Sequence, residues 1–550
     1  MRDVLFQLGP AYTILLIASV CMAALCYTRI RTVIAYRRAV AVSKDGVVPS
    51  PLIPYSIPWF GHTLRFLEKG PDRWYHRQTL HPLHGVYSMV IGGQRTHIVS
   101  NPTATRHLFR HAYTKGLSRE AFVRDLLVKC LLVSPNDTSV INTGNGRKNQ
   151  EDVFHKYLAR QESVNELTST FSTLLMRSYE AVPDRLDNGL ENVLLYHWIR
   201  KQIFSTSLKT FFGGELVKIY PQICDDIFHF DEDLCTFFFD FPRIFNRAAW
   251  TRRRRMLDSL MRWDAHIHKF GKRATQDPAD SDSWDPILGS RFNKARMQLY
   301  DDFNLSMQSR AGMNLSIMFA LASNVVPAIA WVMFHLLAGP NSGNLLSKVQ
   351  EELNMATKPD GSLDVSALLS GTPMLQSMWT EVLRHYCDNM IMREVVEDTV
   401  IPLDDQGIRY FQVQKGNMVI SPCWVPQHEA KNWKNDELRQ QPDSFVPDRF
   451  VGEHLDSAKA NALAGVPNTK MYPFGGGKSI CAGRLFAKEE AIIAIAQTLS
   501  TFDFTVHGFV DGNGKPRDEF PGLKPSLPGV VVYAPDGDLL VTIRRRVPMA

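Results

Sequence analysis

The chain has 550 residues, 45% apolar and 21% charged, with a net charge of +6, so it can bury a large core and is neither a disordered nor a highly charged polymer. With so small a charge and no interleaved basic and aromatic stripe, nucleic acid is excluded from the expected partners. Eight scattered cysteines (Cys21, Cys26, Cys130, Cys224, Cys235, Cys387, Cys423 and Cys481) form no CxxC pair, which excludes a disulfide framework or a regularly spaced zinc site and points to a reducing compartment.

From Ala11 to Tyr27 the chain carries no charge, a run that reaches the lower end of a bilayer span as a helix. Arg29, Arg31, Arg37 and Arg38 follow it, against Arg2 before it. That asymmetry places the rest of the chain in the cytosol. A signal peptide is the rival reading, but its positive charges belong before the apolar run and no small-residue cleavage site ends this one. Next, Pro51, Pro54 and Pro58 precede Gly61, a stiff extended spacer or an ordinary loop.

Val86 to Ile91 and Arg95 to Ser100 flank Gly92-Gly93-Gln94 and predict a β-hairpin. Mostly helical periodicity follows for some three hundred residues. Within it, Arg252 to Arg255 matches a weak nuclear-localisation pattern and also suits a solvated helix end near a membrane. Met313 to Leu337 and Leu485 to Leu499 predict long apolar helices, and Val530 to Tyr533 with Leu539 to Ile543 a terminal strand pair. Pro327 lacks the N–H that would bond the Ser323 carbonyl and predicts a kink in the first of these helices. The expected fold class is mainly α with small β-sheets, preceded by one N-terminal transmembrane helix.

The richest stretch is Phe474-Gly-Gly-Gly-Lys-Ser-Ile-Cys481-Ala-Gly483-Arg484, directly before a helical pattern. Glycines on both sides of the cysteine allow backbone to approach a flat cofactor. A cysteine ahead of a helix meets its positive dipole end and free N–H groups, which favour the metal-binding thiolate. Zinc would need further Cys or His ligands, and a nucleophile would need a histidine partner, whereas haem needs a single protein ligand. A structural cysteine beside a glycine-rich turn satisfies the same residues.

Phe474, Gly477, Cys481 and Gly483 match F-x-x-G-x-x-x-C-x-G, and here the chain resembles the cytochrome P-450 superfamily, haem-thiolate monooxygenases of the microsomal fungal type. A chance match to those positions is expected about once in five hundred such chains. Glu381-Val-Leu-Arg384 resembles the family's E-x-x-R, whose side chains share a helix face, and Pro447-Asp448-Arg449-Phe450 its P-x-R-F. The resemblance implies a structural triad of Glu381, Arg384 and Arg449; read without it, each is a surface ion pair. It also implies haem b with Cys481 as the metal ligand, Phe474, Gly477 and Gly483 around it, and Arg393 on a propionate. Ser479 stands where many members have a second basic residue, so propionate binding leans on Arg393 and on His155-Lys156, which equally suit a solvated helix face.

Most members carry an acid and a threonine on the distal helix. Here Asn324 and Val325 occupy those places. Asn324, with Ser323 and its freed carbonyl, is the expected catalytic pair that orders a water beside oxygen; alternatively Asn324 satisfies the broken helix. Asn followed three residues later by Pro resembles the branch of bile-acid sterol hydroxylases and prostacyclin synthase, and many fungal biosynthetic oxidases. The implied domains are an anchor (1–30), a basic and proline-rich linker (31–61) and a catalytic P-450 domain (62–550). The implied activity is oxidation of a small, bulky apolar substrate, terpenoid or steroid-like, by O2 and NADPH-derived electrons. An NADPH-cytochrome P-450 reductase, with cytochrome b5 as a further donor, would meet Lys478, Arg484 and Lys488. Single-pass endoplasmic reticulum membrane placement is implied, with lipid around the anchor. The alternatives are an isomerase or dehydratase that needs no NADPH, suggested by Val325, and a non-enzymatic haem or sterol binder.

Overall fold

The computed structural model describes residues 10–41, 46–69, 85–109, 116–182, 189–270, 282–433, 442–452, 471–526 and 531–546. The first helix, Pro10–Ala41, runs 32 residues and so extends well past the expected anchor boundary at residue 30. Residues 28–41 contain neither Gly nor Pro, so nothing breaks the helix where the basic linker was expected to begin. Its apolar N-terminal half projects Ile14, Leu15 and Ile17 outward. Its second half docks on the proline segment: Arg29 donates to the Pro54 carbonyl (2.6 Å), and Thr32 Oγ1 donates to the Tyr55 carbonyl (3.0 Å) while accepting from the Tyr55 N–H (3.2 Å).

A five-stranded sheet follows in the order Val86–Ile91, Gln94–Val99, Met418–Pro422, Met390–Val395, Leu117–Ser118. The hairpin forms as expected, with Ile91 opposite Gln94 and its second strand starting one residue early. Gly92 and Gly93 both have positive φ (57° and 79°), the geometry that a two-residue turn matching strand twist requires. A second sheet corrects the expected terminal strand pair. Gly537–Arg545 pairs with Phe502–Asp511, while Val532 makes only an isolated bridge to Cys387 and Val530 lies outside the described residues. The strand begins at Phe502, directly after helix Arg484–Thr501, so the junction has no turn residue to announce it.

The long apolar pattern forms two helices, Met307–Ser323 and Val325–Ala338, separated by Asn324 at φ −120°, ψ −55°. The break sits at the far end of the hydrogen bond that Pro327 cannot make, next to the Ser323 carbonyl. In the second piece Val325 to Leu336 are all buried. It packs against helices Arg484–Thr501, Leu195–Phe212 and Pro373–Tyr386, the arrangement expected of a helix apolar all round. Although its length and hydropathy would suit a membrane span, it is the core of the domain.

Arg252 to Arg255 form neither a helix end nor a free basic run: they lie inside helix Arg247–Phe270. Arg252 pairs with Asp233 at 2.5 Å, Arg253 is buried over Phe237 and Trp250, and of the two exposed members Arg255 pairs with Asp226 while Arg254 comes within 4.0 Å of Asp258.

Candidate active site

Helix Met307–Ser323 and the loop carrying Cys481 face one another across a cavity of about 430 Å³. Ile317, Ala320, Leu321 and Val325 supply one wall; Phe474, Cys481 and Phe486 supply the other. The lining is largely apolar, and Arg119 and Arg393 stand at one edge.

The cysteine loop is held by its backbone. The Cys481 N–H donates to the Phe474 carbonyl (2.9 Å), Gly477–Ser479 form a 3-10 turn, and Asn389 Nδ2 ties down the Tyr472 and Pro473 carbonyls (3.3 and 3.1 Å). Cys481 is exposed, yet sits deep in the protein, because its accessible surface belongs to the cavity wall. Gly477 does not make room for a cofactor as expected. It has φ +62°, and a Cβ there would meet the Phe109 carbonyl oxygen at 2.1 Å, so its smallness serves close packing of two backbones. Gly483 does border the sulfur: a Cβ on it would lie 4.0 Å from Cys481 Sγ. Burial pushes the Cys481 thiol above its ordinary value, against the Gly483 N–H and the Arg484 guanidinium, which favour the thiolate. The helix start acts in the expected direction, and burial outweighs it.

Behind this loop, Arg384 binds Glu381 through both nitrogens (Nε to Oε2, 2.7 Å; Nη2 to Oε1, 2.8 Å), and Arg449 Nε reaches Glu381 Oε2 at 3.0 Å. All three are buried, so the surface-pair alternative does not hold. Arg384 also donates to the Gln427, Pro442 and Ser444 carbonyls (2.9, 2.7 and 3.0 Å). A carboxylate bound to two guanidiniums, with their remaining N–H groups spent on carbonyls, fastens three separate chain segments together.

Arg393 is 7% exposed and lines the cavity. Burial, then the neighbouring Arg119, lowers its pKa to about 10. His155 and Lys156 are not brought to the cavity. Helix Gly144–Leu158 turns Phe154 and Leu158 inward, and the residues between them point away, since positions four apart share a helix face; His155 is exposed and Lys156 lines a separate surface recess. Arg119, which carried no motif, lines the cavity together with Arg393.

On the opposite wall, Asn324 lines the cavity, and its Nδ2 donates to Ser323 Oγ at 3.1 Å. Its Oδ1 is buried without a hydrogen-bond partner, and the side chain does not cap the following helix. Ser323 stands behind it, outside the lining. The expected cationic docking face is reduced: Arg484 Nη1 bonds the Cys481 carbonyl at 3.0 Å, burial holds Lys488 down to about 8, and the Lys478 side chain lies outside the described residues.

A family model described as Cytochrome P450 matches residues 51–528. The chain is 26% identical over 541 residues to Cytochrome P450 monooxygenase efuG of Hormonema carpetanum, covering 91% of each. It is 24% identical over 478 residues to Cytochrome P450 7B1 of Mus musculus, covering 83% of this chain and 84% of the relative. Among solved structures, the retinoic acid bound cyanobacterial CYP120A1 superposes with a TM-score of 0.61 at 19% identity, over 89% of this chain and 98% of that one.

Proposed function

This chain belongs to the cytochrome P450 family of monooxygenases, and from that premise we propose that it is a membrane-anchored enzyme oxidising a bulky apolar substrate at a haem held by Cys481. The observation that carries this reading is the cysteine sulfur facing a largely apolar cavity, with guanidiniums at one edge and Asn324 opposite. The donor set fits a haem: one soft sulfur for the metal, apolar surface for the macrocycle and cations for its carboxylates. Cys481 would hold the iron through its sulfur, and Arg393 would bind a propionate. When bound, that group supplies reductive activation of dioxygen, with one oxygen atom going to the substrate and the other leaving as water.

The protein's own residues bind, orient and deliver protons. Phe122, Val123 and Ile317 exclude water and hold an apolar substrate by shape, so the C–H presented toward the Cys481 side of the cavity is the one oxidised. Asn324 Oδ1, buried and without a hydrogen-bond partner among the described residues, accepts from a water beside the cavity, and Ser323 Oγ holds the amide nitrogen. A terpenoid or steroid-like molecule suits these walls. Electrons come from NADPH through a flavoprotein reductase, with cytochrome b5 as a further donor, and the helix Pro10–Ala41 fixes the domain to the cytosolic face of the endoplasmic reticulum.

Full-length protein in lipid with reductase is expected to consume NADPH and oxygen and to add one oxygen atom to the metabolite that accumulates when its gene is deleted. Turnover of that metabolite without NADPH would replace this reading with an isomerase or dehydratase, and binding without turnover with a non-enzymatic binder.

A further inference from the structure

Among the described residues that line the Cys481 cavity, Glu490 is the only acid. Its place follows from helix spacing. Gly483, Phe486, Ala487 and Glu490 recur every three or four residues along helix Arg484–Thr501 and its cap, so they share one face, and all four line the cavity. The Glu490 side chain is 1% exposed, and its Oε2 is buried without a hydrogen-bond partner among the described residues.

The other carboxyl oxygen, Oε1, meets Ser207 Oγ on helix Leu195–Phe212, and that hydroxyl also lies 2.9 Å from the Ile203 carbonyl. A hydroxyl has one hydrogen for these two acceptors. Both contacts are complete when the carboxyl carries a hydrogen of its own: Ser207 then donates to the Ile203 carbonyl, and Glu490 donates to Ser207 Oγ. The ionisable groups on the helices around it are engaged elsewhere. Lys488 acts on Glu489, which accepts from Gln161 and Thr168 (2.7 Å each), and Glu166 pairs with Arg291. His335 bonds the Tyr386 hydroxyl (2.7 Å), Glu352 accepts from the Met374 N–H, Glu381 binds Arg384, and Lys201 and Lys209 act on Cys224. No described cation reaches Glu490, and burial raises its pKa to about 8.

Resting on the haem reading of Cys481, we propose that Glu490 is a proton site coupled to reduction of the iron. An electron arriving at the metal makes the cavity more negative, and in apolar surroundings that charge is felt by a carboxylate on the same wall. Starting from the oxidised protein with Glu490 ionised, one electron from the reductant goes to iron and one proton from water goes to the carboxylate. The O–H bond is the only bond formed. Where Glu490 already holds its proton, reduction takes up none. The reduction potential is therefore level below the carboxyl pKa and falls as pH rises above it.

The test is the reduction potential of the full-length holoprotein in lipid, measured spectroelectrochemically from about pH 6.5 to about pH 9.5. In the wild type the potential is expected to be level up to about pH 8 and to fall above it. Glu490→Gln, whose amide keeps a donor for Ser207, is expected to hold the wild-type low-pH value across the range. Ser207→Ala is expected to move the bend along the pH axis, which keeps the test decisive if Glu490→Gln does not fold. A level wild-type profile, a bend that survives in Glu490→Gln, or a bend that Ser207→Ala leaves in place would each overturn the proposal. A wild-type protein that takes up no haem would instead bring down the reading of Cys481, and the coupling with it.

Discussion

Asn324 presents a buried oxygen that no described residue satisfies, and leaving such a group unpaired is unfavourable. Its place on the cavity wall makes a cavity water the natural partner, which separates its role from repair of the broken helix. Asn324→Leu is therefore expected to keep the thermal unfolding temperature of the holoprotein and to lower product formed per NADPH about tenfold. An unfolding temperature that drops while coupling stays intact would make the residue a structural one. At this scale the sequence was readable where chemistry dictates residue type. Cys481 is picked out by the four-position match of Phe474, Gly477, Cys481 and Gly483, and Glu381 and Arg384 by a spacing that puts them on one helix face, in order with Arg449. Arg119 was hidden, since it reaches the cavity through a strand register rather than a local pattern. His155 and Lys156 misled because charge was read without asking which face of their helix the apolar Phe154 and Leu158 would turn inward.

Between elements, the buried carboxylate of Glu381 holds helix Pro373–Tyr386 to the segment carrying Arg449, and through Arg384 to the Gln427 and Ser444 carbonyls. Removing it takes from the buried Arg384 guanidinium the carboxylate that it binds through two nitrogens. Glu381→Ala is expected to lose about 3–5 kcal/mol of stability, measured as a lower denaturant midpoint of the holoprotein; a midpoint close to wild type would contradict the role assigned to the triad. Long helices were legible here from apolar periodicity, and the hairpin from Gly92-Gly93. Boundaries set by tertiary contacts were not. Helix Pro10–Ala41 continues because no residue stops it, and the terminal sheet takes Phe502–Asp511 because that strand lies beside Gly537–Arg545 in space. The position of the helix break at Asn324 followed from Pro327 only through the hydrogen bond it cannot make.

As a whole molecule, the chain joins an exposed apolar helix to a large domain through contacts from Arg29 and Thr32 to the proline segment, so helix and domain are coupled by hydrogen bonds as well as by sequence. Its buried core helix, Val325–Ala338, packs against the triad-bearing helix, and both contribute to the cavity lining through Val325, Trp379 and Leu383. A one-domain architecture was legible from composition and the absence of internal linkers. What sets substrate shape was not, because the cavity is assembled from segments as distant as Phe122 and Val531. Everything returns to the sulfur on the cavity wall. The most direct test is the carbon monoxide difference spectrum of the reduced full-length protein: wild type is expected to give the thiolate-type band and Cys481→Ser to lose it, whereas a variant that kept this band would contradict the assignment of Cys481 as the iron ligand.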